Sequence, residues 1–282
     1  MKTTLRLMMA LSLMAAGMAS AALISYDGAN YGPVGALEGL NGNASQWASA
    51  WSGTNAVIAD SLAYTNVTIL QTEGNAFKIV GTIAAPYTES YRTLQTNGFE
   101  SVTTNIGGVT YFGKGGAIVW LSFLARNDGA DAQESAGVFL YKDATQAAMV
   151  GIRWNSTKWG AAIAPSAGQS TPIISTNTAT VFIVAQLQTR PDEQPTWDSW
   201  AKIYVNPSLT AFNEAVFDLQ SYGSGATQLR FNRIALRGSK QMTIDELRLG
   251  TTAADVMPTV PEPAAGLLLA LPALLRYCRR TR

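Results

Sequence analysis

Ala117-Ile118-Val119-Trp120-Leu121-Ser122-Phe123-Leu124-Ala125-Arg126 sets the class of this chain. In an extended segment alternate side chains share a face. Ala117, Val119, Leu121, Phe123 and Ala125 lie on one side, and Ile118, Trp120 and Leu124 on the other. A strand that is apolar on both sides belongs in the middle of a sheet with cover above and below. Working outward, residues 136–141 and 148–154 read as strands joined by a hairpin through Lys142-Asp143-Ala144. Residues 181–188 alternate Val181, Ile183, Ala185 and Leu187 against Phe182, Val184, Gln186 and Gln188. Ala201, Ile203 and Val205 mark another strand, ended by Asn206-Pro207. Leu229 and Phe231 give way to Ile234 and Leu236, and Ile244 gives way to Leu247 and Leu249. Each slip of one residue predicts a bulge or turn, at Asn232-Arg233 and at Asp245-Glu246. Lys114-Gly115-Gly116 and residues 237–240 read as turns, and the Ser/Gly-rich 221–226 stretch as a loop. No segment from Ala22 to Asp255 keeps a helical period. The body therefore reads as an all-β, two-sheet sandwich of about ten or more strands, in one domain over 22–255.

The ends read differently. Lys2 and Arg6 precede an apolar run from Leu7 to Met18, and Ala19-Ser20-Ala21 follows. This is the order of a secretory signal peptide, cut between Ala21 and Ala22 by signal peptidase after the general secretion machinery has engaged it. At the other end, Pro261-Glu262-Pro263 precedes twelve apolar or small residues, 264–275, and then a tail with Arg276, Arg279, Arg280 and Arg282. As a helix that stretch reaches about 18 Å, short of the roughly 30 Å apolar core of a bilayer. The Arg cluster favours the cytoplasmic side.

Composition excludes whole classes of chemistry. The chain has 282 residues, no His and one Cys, Cys278. Nucleophile systems built on His, His-ligated metals, thiolate zinc sites and intrachain disulfides are thereby excluded. Without the terminal signals the body carries 14 Lys+Arg against 18 Asp+Glu. That balance argues against nucleic acid as a partner.

The Pro-Glu-Pro motif, short apolar segment and basic tail resemble the PEP-CTERM sorting signal of Gram-negative bacteria. The resemblance implies recognition by an exosortase at the inner membrane, transient anchoring there, and delivery to the outer surface or extracellular matrix. Residues 256–282 are assigned as linker plus this signal. Asp27, Gly39, Asn41-Gly42, Trp47 and Trp51-Ser52-Gly53 open the body, and Phe231-Asn232-Arg233-Ile234 and residues 244–252 close it. Together these resemble the concanavalin-like (laminin-G-like) jelly-roll proteins that carry such tails in Verrucomicrobia and related bacteria. The resemblance implies a jelly-roll sandwich, flanked here by a signal helix and a short C-terminal hydrophobic helix.

Three chemistries were weighed on the residues. A retaining glycosidase needs two carboxylates about 5–5.5 Å apart, and the E-x-D-x-x-E strand motif that would place them is absent. Asp192, Glu193 and Asp198 lie in a Pro-containing loop and read as surface charges, so no catalytic residue is assigned. A polysaccharide-active hydrolase or lyase on the same fold stands as the alternative. Trp47, Trp51, Trp159, Trp197 and Trp200 fall in or beside loops; Trp47, Trp51, Trp197 and Trp200 are candidates to stack on sugar rings of an extracellular polysaccharide. The competing reading makes these tryptophans anchors of the sandwich ends. Asp27, Asp245 and Glu246 would share a structural calcium if the first and last strands pair, against a simple salt bridge to Arg233 or Arg248. No other cofactor is expected. The sum of these expectations is an exported, non-enzymatic adhesive or glycan-binding protein.

Overall fold

The computed structural model describes residues 22–257 apart from the short segments 33, 43–45, 59–60, 67, 71, 73, 82–86, 130–134, 155, 165–172, 175–178, 195 and 224–227. The signal peptide, the Pro-Glu-Pro motif, the basic tail and both terminal helices expected from the sequence lie outside the described residues. Among those described are twenty strands and one short helix. β1 (Leu23–Asp27), β2 (Gly35–Ala36), β3 (Ser52–Gly53), β4 (Ala56–Ile58), β5 (Tyr64–Asn66), β6 (Thr68–Leu70), β7 (Ala76–Val80), β8 (Thr88–Thr93), β9 (Thr103–Ile106) and β10 (Val109–Phe112) precede the central run. β11 (Ile118–Asn127), β12 (Ala136–Lys142), β13 (Thr145–Ile152), β14 (Lys158–Ile163), β15 (Ile173–Ile174), β16 (Val181–Gln188), β17 (Trp200–Val205), β18 (Leu219–Tyr222), β19 (Arg233–Gly238) and β20 (Gln241–Gly250) follow, closed by α1 (Ala253–Val256).

Of these strands β5–β6 and β9–β10 form two separate two-stranded sheets, and the other sixteen form two antiparallel sheets packed face to face. One has nine strands, in the order β18-β17-β16-β11-β20-β7-β4-β2 with β1 added beside β20. The other has seven, in the order β15-β14-β13-β12-β19-β8-β3. β11 sits between β16 and β20, as its two apolar faces required. Val119, Leu121 and Phe123 meet Val138, Leu140, Val150, Ile234 and Leu236 of the second sheet in one continuous core. The other face of β11 is also covered. Trp120 and Leu124 pack with Phe182, Val184, Tyr204, Leu62, Tyr64 and Val256. Ser122, the polar residue in that row, donates its Oγ hydrogen to the Val256 carbonyl at 2.6 Å. α1 thus docks on the sheet, and the stretch read as the start of a linker belongs to the body.

The bulge expected at Asp245-Glu246 is present. The register of β11 against β20 shifts between Ser122 and Leu124, and Glu246 takes the positive φ of 52°. The bulge has a topological use. Upstream, Gln241–Ile244 pair with β7; downstream, Leu247–Gly250 pair with β1. One long strand therefore changes partner on one edge where its backbone kinks. At Asn232 the chain likewise bends between the bridge Phe112–Phe231 and β19.

The opening motif of the body is explained by one buried cation. Arg92 points inward from β8, fully buried, and pairs with Asp27 of β1 at 2.6 Å. Asp27 also accepts from Trp51 Nε1 at 3.1 Å and from the Tyr31 hydroxyl. Asn41 Oδ1 and the Ser49 carbonyl accept from the same guanidinium at 2.9 and 3.1 Å. The ring of Trp47 lies 4.2 Å from Arg92 Cζ and that of Trp51 5.4 Å. Burial and the Asp27 carboxylate hold the Tyr31 phenol above its usual range, so it remains a donor. Two of the three glycines of the motif serve close approach. A Cβ on Gly53, at φ 134°, would sit 2.0 Å from the Glu89 carbonyl, and one on Gly42 would meet the Tyr31 ring at 3.0 Å.

Removing one member of a buried ion pair leaves the other charged and unsolvated, at about 3–5 kcal/mol. Arg92→Met is expected to lower the thermal midpoint by about 10 °C, at roughly 2–4 °C per kcal/mol for a domain of this size. Asp27→Asn combined with Arg92→Met should recover part of that loss. Calorimetry of the three proteins checks this, and an unchanged midpoint in Arg92→Met would show that the pair is dispensable.

Candidate functional site

The outer face of the nine-stranded sheet is half covered and half open. Over β11 and β16 it is capped by α1, by Leu62 and Tyr64, and by Leu209 and Phe212 from the segment after β17. Tyr204 anchors that segment: its hydroxyl donates to the Glu214 carbonyl at 2.8 Å, and Phe212 packs edge-on at 4.9 Å. The cap ends there. Towards β18 the outward side chains of β17, Trp200 and Lys202, alternate with the core residues Ala201 and Ile203. Trp200 stands between Gln188 of β16 and Tyr222 of β18, and Lys202 between Gln186 and Gln220.

This open half is an aromatic platform with polar groups set among the rings. Tyr222 is 56% exposed, and Trp200 and Lys202 are half-exposed. The Lys202 ammonium lies 5.0 Å from the Trp200 ring centroid and 4.7 Å from that of Phe217. Gln186 is 5% exposed. Its Nε2 donates to Glu214 Oε2 at 3.4 Å, while its Oε1 is buried with no hydrogen-bond partner. An amide oxygen left unpaired in such a place costs stability.

Trp197 stands in the adjoining loop with 59% of its surface exposed. The base of that loop is pinned by Ser199, whose Oγ accepts from the Arg190 and Leu229 amides at 3.0 and 2.8 Å. Asp192 and Glu193 are exposed surface charges, as their loop setting implied; Asp192 accepts from Gln228 at 2.6 Å. The sequence pointed to Trp197 and Trp200 but missed Tyr222, Gln186, Lys202 and Phe217. The alternation of β17 carried the signal for Lys202. Nothing local places Tyr222 opposite Trp200.

Trp47 and Trp51 are 3% and 1% exposed, committed to the Arg92 cluster, and offer no ring face to a ligand. The three carboxylates considered for calcium do not converge, although β1 and β20 do pair. Asp27 turns inward to Arg92. Glu246 turns to Arg248 at 2.9 Å and accepts from the Tyr26 hydroxyl at 3.1 Å. Asp245 accepts from the Leu62 amide at 2.9 Å and lies 2.6 Å from Ser61 Oγ. Among the described residues no three acidic or thiol side chains gather as an ion site, and no helix is long and apolar enough to cross a membrane.

Asp245 is the titrating group of this face. Burial, helped by the neighbouring Glu246 charge, pushes its carboxyl up to about 7 against the pull of its hydrogen bonds. It clips the Leu62–Tyr64 cover onto the sheet.

Neither a protein-family model nor a curated protein matches this sequence. Among solved structures, the binding domain of botulinum neurotoxin serotype C1 aligns at TM-score 0.38 and 10% identity, over 73% of this chain and 45% of that one. A GH43 glycoside hydrolase aligns at TM-score 0.37 and 12% identity, over 84% and 42%. A Trypanosoma rangeli sialidase aligns at 0.33 and 11%, over 60% and 29%. The chain spans less than half the length of each. Scores of this size carry no argument about ligand or activity.

The Asp245 carboxyl predicts a pH signature. The folded state holds this proton at pH values where the unfolded chain, titrating near 3.8, has lost it. The stabilisation is full below about pH 4 and is lost as pH rises towards 7. Asp245→Asn removes this component, so the midpoint of the wild type relative to the variant should fall by several degrees between pH 4 and 7. Parallel midpoints across that range would rule the shift out.

Proposed function

We propose that this chain is an exported bacterial surface or matrix protein whose body, a concanavalin-like jelly roll, binds glycan on the open half of the nine-stranded sheet. The observation that carries the reading is the cross-strand row Gln188, Trp200 and Tyr222, which sets two rings side by side next to an amide. A pyranose presents an apolar C–H face to an aromatic ring and hydroxyl edges to amides. Trp200 and Tyr222 supply adjacent rings. The half-exposed Gln188 amide, opposite Trp200, supplies a donor and an acceptor. Gln188 and Lys202 border the rings, and Trp197 extends the platform into the loop. The extended edge suits a chain lying across the sheet more than a single sugar held in a hole. Binding without turnover is the favoured reading, because this platform presents rings and amides and no facing pair of carboxylates has been assigned to it.

A glycan array probed with the full-length protein should show retention by a polysaccharide class. Trp200→Ala and Tyr222→Ala should each weaken that retention about tenfold, near 1.4 kcal/mol, with the unfolding midpoint unchanged. Retention that survives both substitutions moves the site elsewhere. Release of reducing ends from a retained glycan would replace binding by hydrolysis.

The sorting part of the proposal rests on Pro261-Glu262-Pro263. Prolines on both sides of Glu262 disfavour helix and hold an extended backbone that a protease can grip. Exosortase at the inner membrane is the partner this motif suits. Replacing the three residues by alanine in the native host should leave a full-length, membrane-retained species. Unchanged size and unchanged release to the surface would count against the signal.

A further inference from the structure

The outer face of the seven-stranded sheet lies on the opposite side of the sandwich from the Trp200 platform. Cross-strand register places Arg233 and Arg237 of β19 on this face with Ala235 between them. Ala235 is flanked by Tyr91 of β8 and Phe139 of β12. The Arg233 guanidinium stacks 5.2 Å from the Tyr91 ring. That of Arg237 lies 4.2 Å from the Tyr87 ring and 5.4 Å from Phe139. Tyr87 is 45% exposed, and both arginines are half-exposed.

The hydrogen bonding of this face leaves one cation largely unspent. Tyr141 donates to Glu89 Oε2 at 2.7 Å and accepts from Arg237 at 2.6 Å. Glu89 lies 3.5 Å from Arg237 Nε, which makes no hydrogen bond. Burial, with Glu89 beside it, pushes the Tyr141 hydroxyl up to about 12, so it stays a neutral donor. Arg233 has no ion pair among the described residues. The nearby Asp143 is occupied by the Tyr111 hydroxyl at 2.7 Å and by Asn232 Nδ2 at 2.9 Å. Two guanidinium groups thus lie four residues apart on one face, about 13 Å along the strand, over an apolar floor edged with tyrosine rings.

We infer that this face is a second binding site, and that its ligand is an acidic polysaccharide whose carboxylates engage Arg233 and Arg237 while its rings lie against Tyr87 and Tyr91. Guanidinium groups match carboxylates in a two-pronged geometry. Discrete cations separated by apolar floor suit charges spaced along a sugar chain. A phosphate backbone wants a continuous basic surface on a basic body, and this body carries 14 positive against 18 negative side chains. With the Trp200 platform opposite, the protein would hold two polymer chains at once, one on each side.

The test uses electrophoresis of the full-length protein through gels containing polygalacturonate, dextran or single-stranded DNA. Polygalacturonate should retard the wild type, less so as salt is raised, and Arg233→Gln with Arg237→Gln should weaken this at least tenfold. Trp200→Ala should leave the polygalacturonate retardation in place, which separates failure of this site from failure of the platform. Absence of retardation by polygalacturonate, equal retardation of the double variant, or equal retardation by DNA would overturn the inference. Should the double variant unfold, phenylglyoxal labelling of the wild type decides the matter: polygalacturonate should shield Arg233 and Arg237, and unshielded labelling would refute it.

Discussion

The structure depends on a cation that cannot leave. Arg92 is buried between two sheets, and every element needed to close the N-terminal end of the sandwich reaches it. β1 supplies the anion, Asp27; the loop after it supplies Tyr31; the segment between β2 and β3 supplies Asn41, Trp47, Ser49 and Trp51. A buried guanidinium is costly unless its donors are filled and its charge is matched. Meeting that demand fixes where each of these segments must lie. A polar cluster of this sort specifies one arrangement of the loops, where apolar packing alone would accept several.

The same closure frees the outer faces. The interior core and the Arg92 cluster are satisfied without any residue of the outer rows of β17, β18 or β19. The cover over β11 and β16 is a separate apolar cluster, held by Ser122 to α1 and by Asp245 to Leu62. Where that cover stops, the sheet shows its outward row directly. The boundary is drawn by Phe212 and Tyr204, whose contact ends the apolar cap, so the platform is a consequence of how far the 206–218 segment reaches.

Much of this was legible in sequence, for a physical reason. β11 and β16 are apolar on both faces and are buried on both, and the one-residue slip at Asp245-Glu246 announced a bulge before any partner was known. Trp200, read as a loop residue, instead opens β17. Arg92 was not legible. β8 reads Thr-Glu-Ser-Tyr-Arg-Thr, and hydrophobic periodicity would turn Tyr91 inward and Arg92 outward. The opposite holds, because the core offers Arg92 an anion and two indole rings. Trp47 and Trp51 were ambiguous on the same ground: a loop tryptophan declares its size and not its direction. The four residues of α1 carry too few apolar positions for a period to show, and only the long-range dock of Val256 reveals them.

Both outer faces pair aromatic rings with nitrogen cations, yet they differ in what the cations are doing. On the nine-stranded sheet Lys202 lies over the rings of Trp200 and Phe217, between Gln186 and Gln220. On the seven-stranded sheet both guanidinium groups lie over rings, Arg237 beside Glu89 and Arg233 without an ion pair among the described residues. A sandwich has two outsides because its sheets bury only their facing sides. Lys202 and Arg237 both sit one residue from the core, on strands of different sheets. A ligand's choice between the two faces is then set by its own charge, since the frame beneath them is common.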